Sequence, residues 1–172
     1  MTATLTRRRQ PADLEDVRRV VESVPDPELP VLTLGQLGVI RRVALEAGRA
    51  VVEITPTYSG CPAMEVIARD VADAVRACGH VPDVRLVLSP AWTTDWISEE
   101  GRKALQEAGI APPAHLAGGP VPVRIGVRPP TPTCPQCGAS DVEELARFGS
   151  TACKALWRCL ACREPFDYVK PL

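Results

Sequence analysis

One stretch decides the fold of the larger part of this chain: VIRRVALEAGRAVVEITPTYSGCPAMEVIARDVADAVRAC, residues Val39–Cys78. Val39–Glu46 and Ala50–Thr55 are rich in strand-forming residues and are joined by a short glycine-containing turn, which predicts a β-hairpin. The run Pro62–Cys78 repeats apolar residues at helical spacing and is followed by Gly79, which predicts a long helix. Strand, strand and helix in this order form the centre of a mixed α and β pattern.

The segments on either side extend this pattern. Asp13 is suited to cap a helix that ends at Pro25, and the following PDPELP is a rigid loop because its prolines restrict the backbone. Residues Val84–Leu88 alternate as a third strand, and Ser98 begins a last helix. The order α, β, β, α, β, α over residues 12–110 predicts an α+β domain, with helices on one face of a small mixed sheet.

The charge balance excludes some function classes. The chain has 20 basic and 21 acidic residues among 172, a net charge of -1, so no general electrostatic attraction to nucleic acid or to an anionic membrane is expected. The basic run Arg7–Arg9 is expected to be a solvated tail. No apolar segment is long enough to cross a bilayer and the N-terminus lacks a signal-peptide core, so we expect a cytoplasmic protein. In that reducing compartment the seven cysteines indicate metal or thiol chemistry.

The C-terminal part carries the strongest motif. Residues 111–133 contain seven prolines and are predicted to be a linker, with a short strand at Val121–Val127. Residues 134–172 then form a small ribbon-like metal domain. Two CxxC motifs lie in it, Cys134–Cys137 and Cys159–Cys162, separated by 21 residues.

This spacing is typical of a four-cysteine metal site. The predicted ligands are Cys134, Cys137, Cys159 and Cys162. Four thiolates suit tetrahedral zinc, and iron is the alternative that the same cage can hold. Such a closed site normally supports structure. Cys153 lies between the motifs and exceeds the four ligands, so it is a free thiol, a packed residue or an alternative ligand.

Cys61 poses a different question. Pro62 suits the first position of a helix, which would place Cys61 at or next to the cap, where the helix dipole lowers the pKa of a thiol. Burial would raise that pKa instead, so a working thiol and a small structural residue both remain open. Cys78 lies on the apolar stripe of the predicted helix and is assigned to the core.

A catalytic set is not recognisable. His80 and His115 are the two histidines, one beyond the far end of the long helix and one in the linker. Neither is positioned to serve Cys61 as a base. We therefore predict no independent enzymatic activity and assign no catalytic residue.

The chain resembles a known family. Its first domain is similar to the iron–sulfur assembly factors related to SufT, and nearly the whole chain resembles the PaaD family of accessory proteins of the phenylacetyl-CoA epoxidase system. The first resemblance lies in Asp26-Pro27-Glu28, Leu37-Gly38 and Thr55–Pro62. The second lies in TPTYSGCPA (Thr55–Ala63), LSPAWTTDWISEEGR (Leu88–Arg102) and the segments FGSTACKALWRC and REPFDY within Phe148–Tyr168.

The resemblance implies a role in maturing a metal centre of that epoxidase. Its oxygenase and reductase subunits would be the partners, without nucleic acid or membrane, and dimerisation of this chain is left open. Cys61 would be the thiol that transiently holds iron or an iron–sulfur cluster, with Asp26 and Glu28 as acidic neighbours, while the ribbon holds zinc. The chain departs from the family pattern at Gln36, where an acidic residue is usual, and at Pro171, where relatives often have a cysteine.

A second reading assigns the protein to another class. In this reading it is a stably bound, non-catalytic subunit of the epoxidase, and Cys61 is a core residue. The loops PDPELP and SPAWTTDW would form the interface, with Trp92 and Trp96 as exposed aromatic anchors. Packing of these two tryptophans against the local core is the alternative.

Overall fold

The computed structural model describes residues 11–58, 60–114 and 131–171. The predictions on Arg7–Arg9, His115, the Val121–Val127 strand and most of the 111–133 linker lie outside these ranges. Within them, no helix combines the length and the apolar character that crossing a membrane requires.

The first sheet is mixed. Strands β1 (Ile40–Glu46) and β2 (Arg49–Ile54) form the expected antiparallel hairpin. Helix α3 (Met64–Ala77) leads from β2 to β3 (Val81–Leu86), which pairs parallel to β2. The strand order is β1-β2-β3, so β1 and β3 are edges.

Three further helices complete this part of the molecule: α1 (Leu14–Glu22), α2 (Leu34–Leu37) and α4 (Glu99–Glu107). The Asp13 carboxylate accepts the Asp16 amide at 2.9 Å, and the Ser98 hydroxyl accepts the Gly101 amide at 3.0 Å, so both predicted caps are present. The apolar side chains of the helices and the sheet share one core, in which Val17, Val71 and Leu105 are fully buried. The predicted α+β class with a small mixed sheet is confirmed, and we call these elements, α1 to α4 with β1 to β3, the α+β unit.

Three boundaries differ from expectation. Helix α2 was not predicted, although Thr33 and Gln36 form a capping box that is legible in the sequence. Helix α3 begins at Met64 and not at Pro62. The third strand ends at Leu86, which is 56% exposed because β3 is an edge strand.

The second sheet forms the ribbon, which we define as β4 (Val142–Ala146), β5 (Lys154–Cys159) and β6 (Pro165–Val169) with the two CxxC turns. Its strands are antiparallel in the order β4-β5-β6. The rings of Trp157 and Tyr168 pack edge to face with centroids 6.1 Å apart. This apolar centre is small, and a ribbon of this size therefore needs a further source of stability such as a metal ion.

Ala111, which follows α4, pairs with strand β6 of the ribbon. The Ala111 amide donates to the Asp167 carbonyl at 2.8 Å, and the Val169 amide donates to the Ala111 carbonyl at 3.1 Å. Val169 of the ribbon packs into the core of the α+β unit, whereas Ala111 packs into the core of the ribbon. The exchange of apolar side chains attaches the ribbon to the α+β unit.

Candidate metal sites

The four cysteines of the CxxC motifs converge. Their sulfur atoms all lie within 4.8 Å of one another, with Cys134 Sγ 3.7 Å from Cys162 Sγ and Cys137 Sγ 3.6 Å from Cys159 Sγ. A zinc ion bound tetrahedrally at about 2.3 Å from each sulfur requires sulfur–sulfur distances of roughly 3.8 Å. The four thiols therefore have the spacing of a tetrahedral metal site.

Each CxxC motif is a tight turn that directs its sulfurs inward. In the first turn the Gly138 amide donates to the Cys134 carbonyl at 2.9 Å, and Gly138 has a φ of 74°, which a residue without a side chain adopts readily. In the second turn the Cys162 amide donates to Cys159 Sγ at 3.4 Å. This hydrogen bond is the largest of several that lower the pKa of the Cys159 thiol to about 7, whereas burial and the neighbouring cysteines raise the pKa of the Cys162 thiol.

Cys153 does not belong to this cluster. Among the residues that the structure describes, only Cys134, Cys137, Cys159 and Cys162 form a metal-ligand group of three or more whose donor atoms lie that close together. Of these four, Cys134 and Cys159 are buried, whereas Cys137 and Cys162 are exposed. The sulfur of Cys153 instead lies 3.0 Å from the Thr151 hydroxyl.

A second candidate site is a cavity of about 20 Å³ beside the start of α3. The side chains that carry chemistry in its wall are Asp26, Glu28, Tyr58, Cys61 and Cys153, and apolar residues of the core form most of the rest. The structure thus brings together the three predicted residues Cys61, Asp26 and Glu28. It adds Cys153, which comes from the ribbon.

Asp26 is held firmly by its own loop. Its Oδ1 accepts the amides of Glu28 at 2.8 Å and of Leu29 at 2.7 Å, and its side chain is nearly buried. Burial raises the pKa of this carboxyl, while the Leu29 and Glu28 amides and the charge of Lys154 oppose that increase. The PDPELP loop therefore holds a buried carboxyl group in the wall of the cavity.

Cys61 lies in the turn between β2 and α3. Its amide donates to the Tyr58 carbonyl at 3.2 Å, and the cap position of α3 is Ala63. The prediction that Cys61 lies at or next to the cap is therefore wrong, because Pro62 separates it from Ala63. Burial raises the pKa of the Cys61 thiol, and the charges of Asp26 and Glu28 raise it further. A hydrogen bond from the Ala63 amide opposes this increase. A thiol of raised pKa is mostly protonated at neutral pH and is a poor nucleophile until a cation replaces the proton.

The two tryptophans of the SPAWTTDW loop have different environments. Trp92 is buried, and its Nε1 donates to the Leu37 carbonyl at 2.9 Å. The prediction that Trp92 is an exposed anchor is therefore wrong, because its ring packs in the core of the α+β unit. Trp96 is half-buried, and the Arg41 guanidinium lies 3.6 Å from its ring centroid. An interface role for Trp96 stays a prediction.

Gln36 has a structural task. Its side-chain oxygen accepts the Thr33 amide at 3.0 Å, and its backbone carbonyl accepts the Ser98 amide at 2.9 Å. The side chain thus completes the capping box of α2. The side-chain amide of Gln36 therefore leaves this end of the helix with its capping hydrogen bonds satisfied.

Comparison with known proteins agrees with this two-part arrangement. Residues 14–86 match the family model described as an iron–sulfur cluster assembly protein, and residues 120–170 match the PaaD zinc β-ribbon domain. A protein of Escherichia coli (strain K12), named as a putative subunit of 1,2-phenylacetyl-CoA epoxidase, is 44% identical over 93% of this chain and 94% of its own length.

Two further relatives cover the α+β unit. An Fe-S protein maturation auxiliary factor of Porphyromonas gingivalis is 38% identical over 56% of this chain and 90% of its own. The crystal structure of a domain of unknown function, DUF59, from Bacillus anthracis superposes with a TM-score of 0.50 at 27% identity, over 54% of this chain and 90% of that one.

Fold and sites together define a metal-binding protein in which an iron–sulfur-assembly domain precedes a zinc ribbon. The similarity extends over nearly the full length of the E. coli relative. The chain belongs to the PaaD family.

Proposed function

We propose that this protein is a maturation factor for a metal centre of the phenylacetyl-CoA epoxidase system. In this role Cys61 transiently holds iron or an iron–sulfur cluster, and the oxygenase or reductase subunits are its clients. Membership of the PaaD family supports the link to the epoxidase, and the maturation factors among the relatives support the chemistry.

One observation carries the proposal. Cys61, Asp26 and Glu28 are separate in sequence but line the same cavity, which places a soft sulfur ligand beside two carboxylates. Thiolate and carboxylate together suit a divalent iron ion. No base is needed for this chemistry, because the incoming cation itself displaces the thiol proton.

For the ribbon we propose one structural zinc ion, held by Cys134, Cys137, Cys159 and Cys162. Because all four positions of the tetrahedron are taken by protein sulfurs, the ion would stabilise the ribbon without reacting. The purified protein should be colourless with about one zinc per chain. A red protein with iron in the four-thiolate site would overturn the assignment of zinc.

The maturation role is tested by producing the epoxidase subunits together with a Cys61→Ser variant. We expect oxygenase and reductase that are deficient in metal and in activity. Cys78→Ser is the matched control, because Cys78 is a half-buried cysteine at the other end of α3 and does not line the cavity. Epoxidase with full metal content and full activity beside Cys61→Ser would exclude the maturation role of this thiol.

A stably bound, non-catalytic subunit is the second candidate. It is favoured by the edge strand β3, where Val81 and Leu86 are more than half exposed, and by Leu88 just beyond it. An apolar edge of this kind is a suitable surface for a partner protein. In this case Leu86→Lys with Leu88→Lys would release the protein from the purified complex, whereas Cys61→Ser would stay bound and leave the metal content unchanged.

A further inference from the structure

The cavity is lined by a second cysteine, Cys153, to which the proposed maturation role assigns no function. Cys153 lies in its wall together with Cys61, although Cys61 belongs to the turn before α3 and Cys153 to the loop before β5. Both are free thiols.

The backbone of the ribbon holds Cys153 in this position. The Lys170 amide donates to the Cys153 carbonyl at 3.0 Å, the Gly149 amide donates to the Lys154 carbonyl at 2.8 Å, and the Lys154 amide donates to the Thr151 carbonyl at 3.2 Å. The first bond connects the loop that carries Cys153 to the residue that follows β6, and the other two hold this loop against the start of β5. Where this sulfur lies therefore depends on the folded ribbon.

The residue after Cys153 strengthens the contact between ribbon and cavity. Lys154 is buried, and its Nζ lies 3.1 Å from Asp167 Oδ2. Its positive charge also acts on the buried Asp26 carboxyl. The two neighbouring residues thus bring a thiol and a buried cation to the acidic wall of the cavity.

The size of the cavity limits what it can hold. A single water needs about 10–15 Å³ by the same measure, and the cavity has about 20 Å³. One ion fits this volume, whereas a cluster of several iron and sulfide atoms does not. Two thiolates with a carboxylate form a ligand set for one divalent ion of the iron type, and their donor atoms have to move closer together to reach one ion, since they do not form such a group in the structure.

We propose that Cys153 is the second thiolate ligand of the Cys61 cavity, so that the folded ribbon completes a site for a single divalent iron ion. This inference rests on the proposed function of Cys61 and specifies it: the cargo is one ion, and the ribbon supplies part of the site. On binding, each thiol gives up its proton to solvent and forms one sulfur–metal bond. No electron is transferred.

Cobalt(II) is a suitable probe, because its thiolate charge-transfer absorbance grows with each sulfur bound. The full chain, with its ribbon loaded with zinc, is titrated with cobalt(II) without oxygen. We expect one cobalt per chain beyond the zinc, bound through two thiolates. Cys153→Ser should reduce the charge-transfer absorbance per bound cobalt by about half, and weaken binding at least ~10-fold, since even groups that only orient a ligand change metal affinity by ~10–100-fold.

The variants separate this inference from the function on which it rests. Cys78→Ser should titrate like the wild type. If Cys61→Ser weakens binding and Cys153→Ser does not, Cys153 is not a ligand and the inference is wrong, while the proposed function remains. If both variants bind cobalt like the wild type, the proposed role of Cys61 fails as well.

A measurement on the unmodified protein covers the case in which Cys153→Ser does not fold. Ferrous iron should slow the alkylation of both Cys61 and Cys153, read by mass spectrometry, and leave Cys78 unaffected. Equal alkylation of Cys153 with and without ferrous iron would overturn the inference.

Discussion

The two cysteine sites of this molecule differ in how their ligands are assembled. In the ribbon, four sulfurs from two tight turns already lie within 4.8 Å of one another. In the cavity, Asp26, Cys61 and Cys153 come from three distant parts of the chain and surround an open space of about 20 Å³. A preassembled tetrahedron suits an ion that stays, whereas a looser mixed set suits an ion that is passed on.

The two sites therefore depend on different contacts within the fold. The ribbon cluster needs the local turns, such as the bond between the Gly138 amide and the Cys134 carbonyl, and the pairing of β4 with β5, which brings the two turns together. The cavity needs the attachment of the ribbon to the α+β unit, through Val169 and the paired backbone of Ala111. Four substitutions test this contrast, from the largest expected effect to the smallest.

The largest effect is expected from Cys159→Ser. Removing one ligand should abolish stable zinc binding and unfold the ribbon, because the ~10–16 kcal/mol of apparent binding free energy of a structural zinc site is coupled to folding. Metal analysis and limited proteolysis of the purified chain measure the result. Cys153→Ser is the control and should keep about one zinc per chain. Retention of zinc by Cys159→Ser would contradict the four-cysteine assignment.

Val169→Ala tests the attachment of the ribbon. The side chain is 2% exposed within the core of the α+β unit, so losing two methyl groups should lower the free energy of unfolding by about 2 kcal/mol. Urea unfolding followed by tryptophan fluorescence measures this change. Val81→Ala, on a strand position that is 55% exposed, should change stability by less than ~0.5 kcal/mol. Equal effects of the two substitutions would mean that Val169 does not connect the two sheets.

Asp26→Ala tests the acidic wall of the cavity. It removes the acceptor of two amides, those of Glu28 and Leu29, and should destabilise the protein by ~1–3 kcal/mol. Asp26→Asn is the matched control, because its side-chain oxygen can accept the same amides without the negative charge. In thermal unfolding only the alanine variant should lose stability, whereas in the cobalt titration both should bind more weakly. Unchanged cobalt binding by Asp26→Asn would show that the Asp26 carboxylate is not part of the metal site.

The smallest effect is expected from Trp92→Phe. It removes the hydrogen bond from Nε1 to the Leu37 carbonyl and should cost about 1 kcal/mol. Metal content at both sites and binding to the epoxidase subunits should stay the same, because this ring is in the core. Reduced binding to those subunits without loss of stability would contradict this assignment and would indicate that Trp92 contacts the partner. Trp96→Phe provides the comparison, since that ring is half-buried beside Arg41.

Much of the fold could be predicted because its signals are local. The hairpin, the caps at Asp13 and Ser98 and the helix after Cys61 follow from periodicity and turn chemistry within short windows. The start of α3 was predicted two residues early, because Pro62 is as well suited to the preceding turn as to a first helical position. Helix α2 was missed although its capping box, Thr33 with Gln36, is a local signal.

The sites follow the same division. The sequence by itself predicted the four-cysteine cluster, because each CxxC turn brings its own two sulfurs together and the spacing of the two turns is typical of a four-cysteine metal site. It also indicated Cys61 as a thiol of interest, but it could not decide whether the pKa of this thiol is raised or lowered. That direction depends on burial, which only packing sets.

Only the tertiary structure decided where Cys153 and Trp92 lie. Both belong to motifs that are visible in the sequence, and in both cases alternatives remained until the fold was known. Trp92 packs inward because the Leu37 carbonyl accepts its Nε1 proton, and Cys153 faces Cys61 because the ribbon packs against the α+β unit. Contacts between residues so distant in sequence leave no periodicity to detect, since they depend on how finished elements pack against each other.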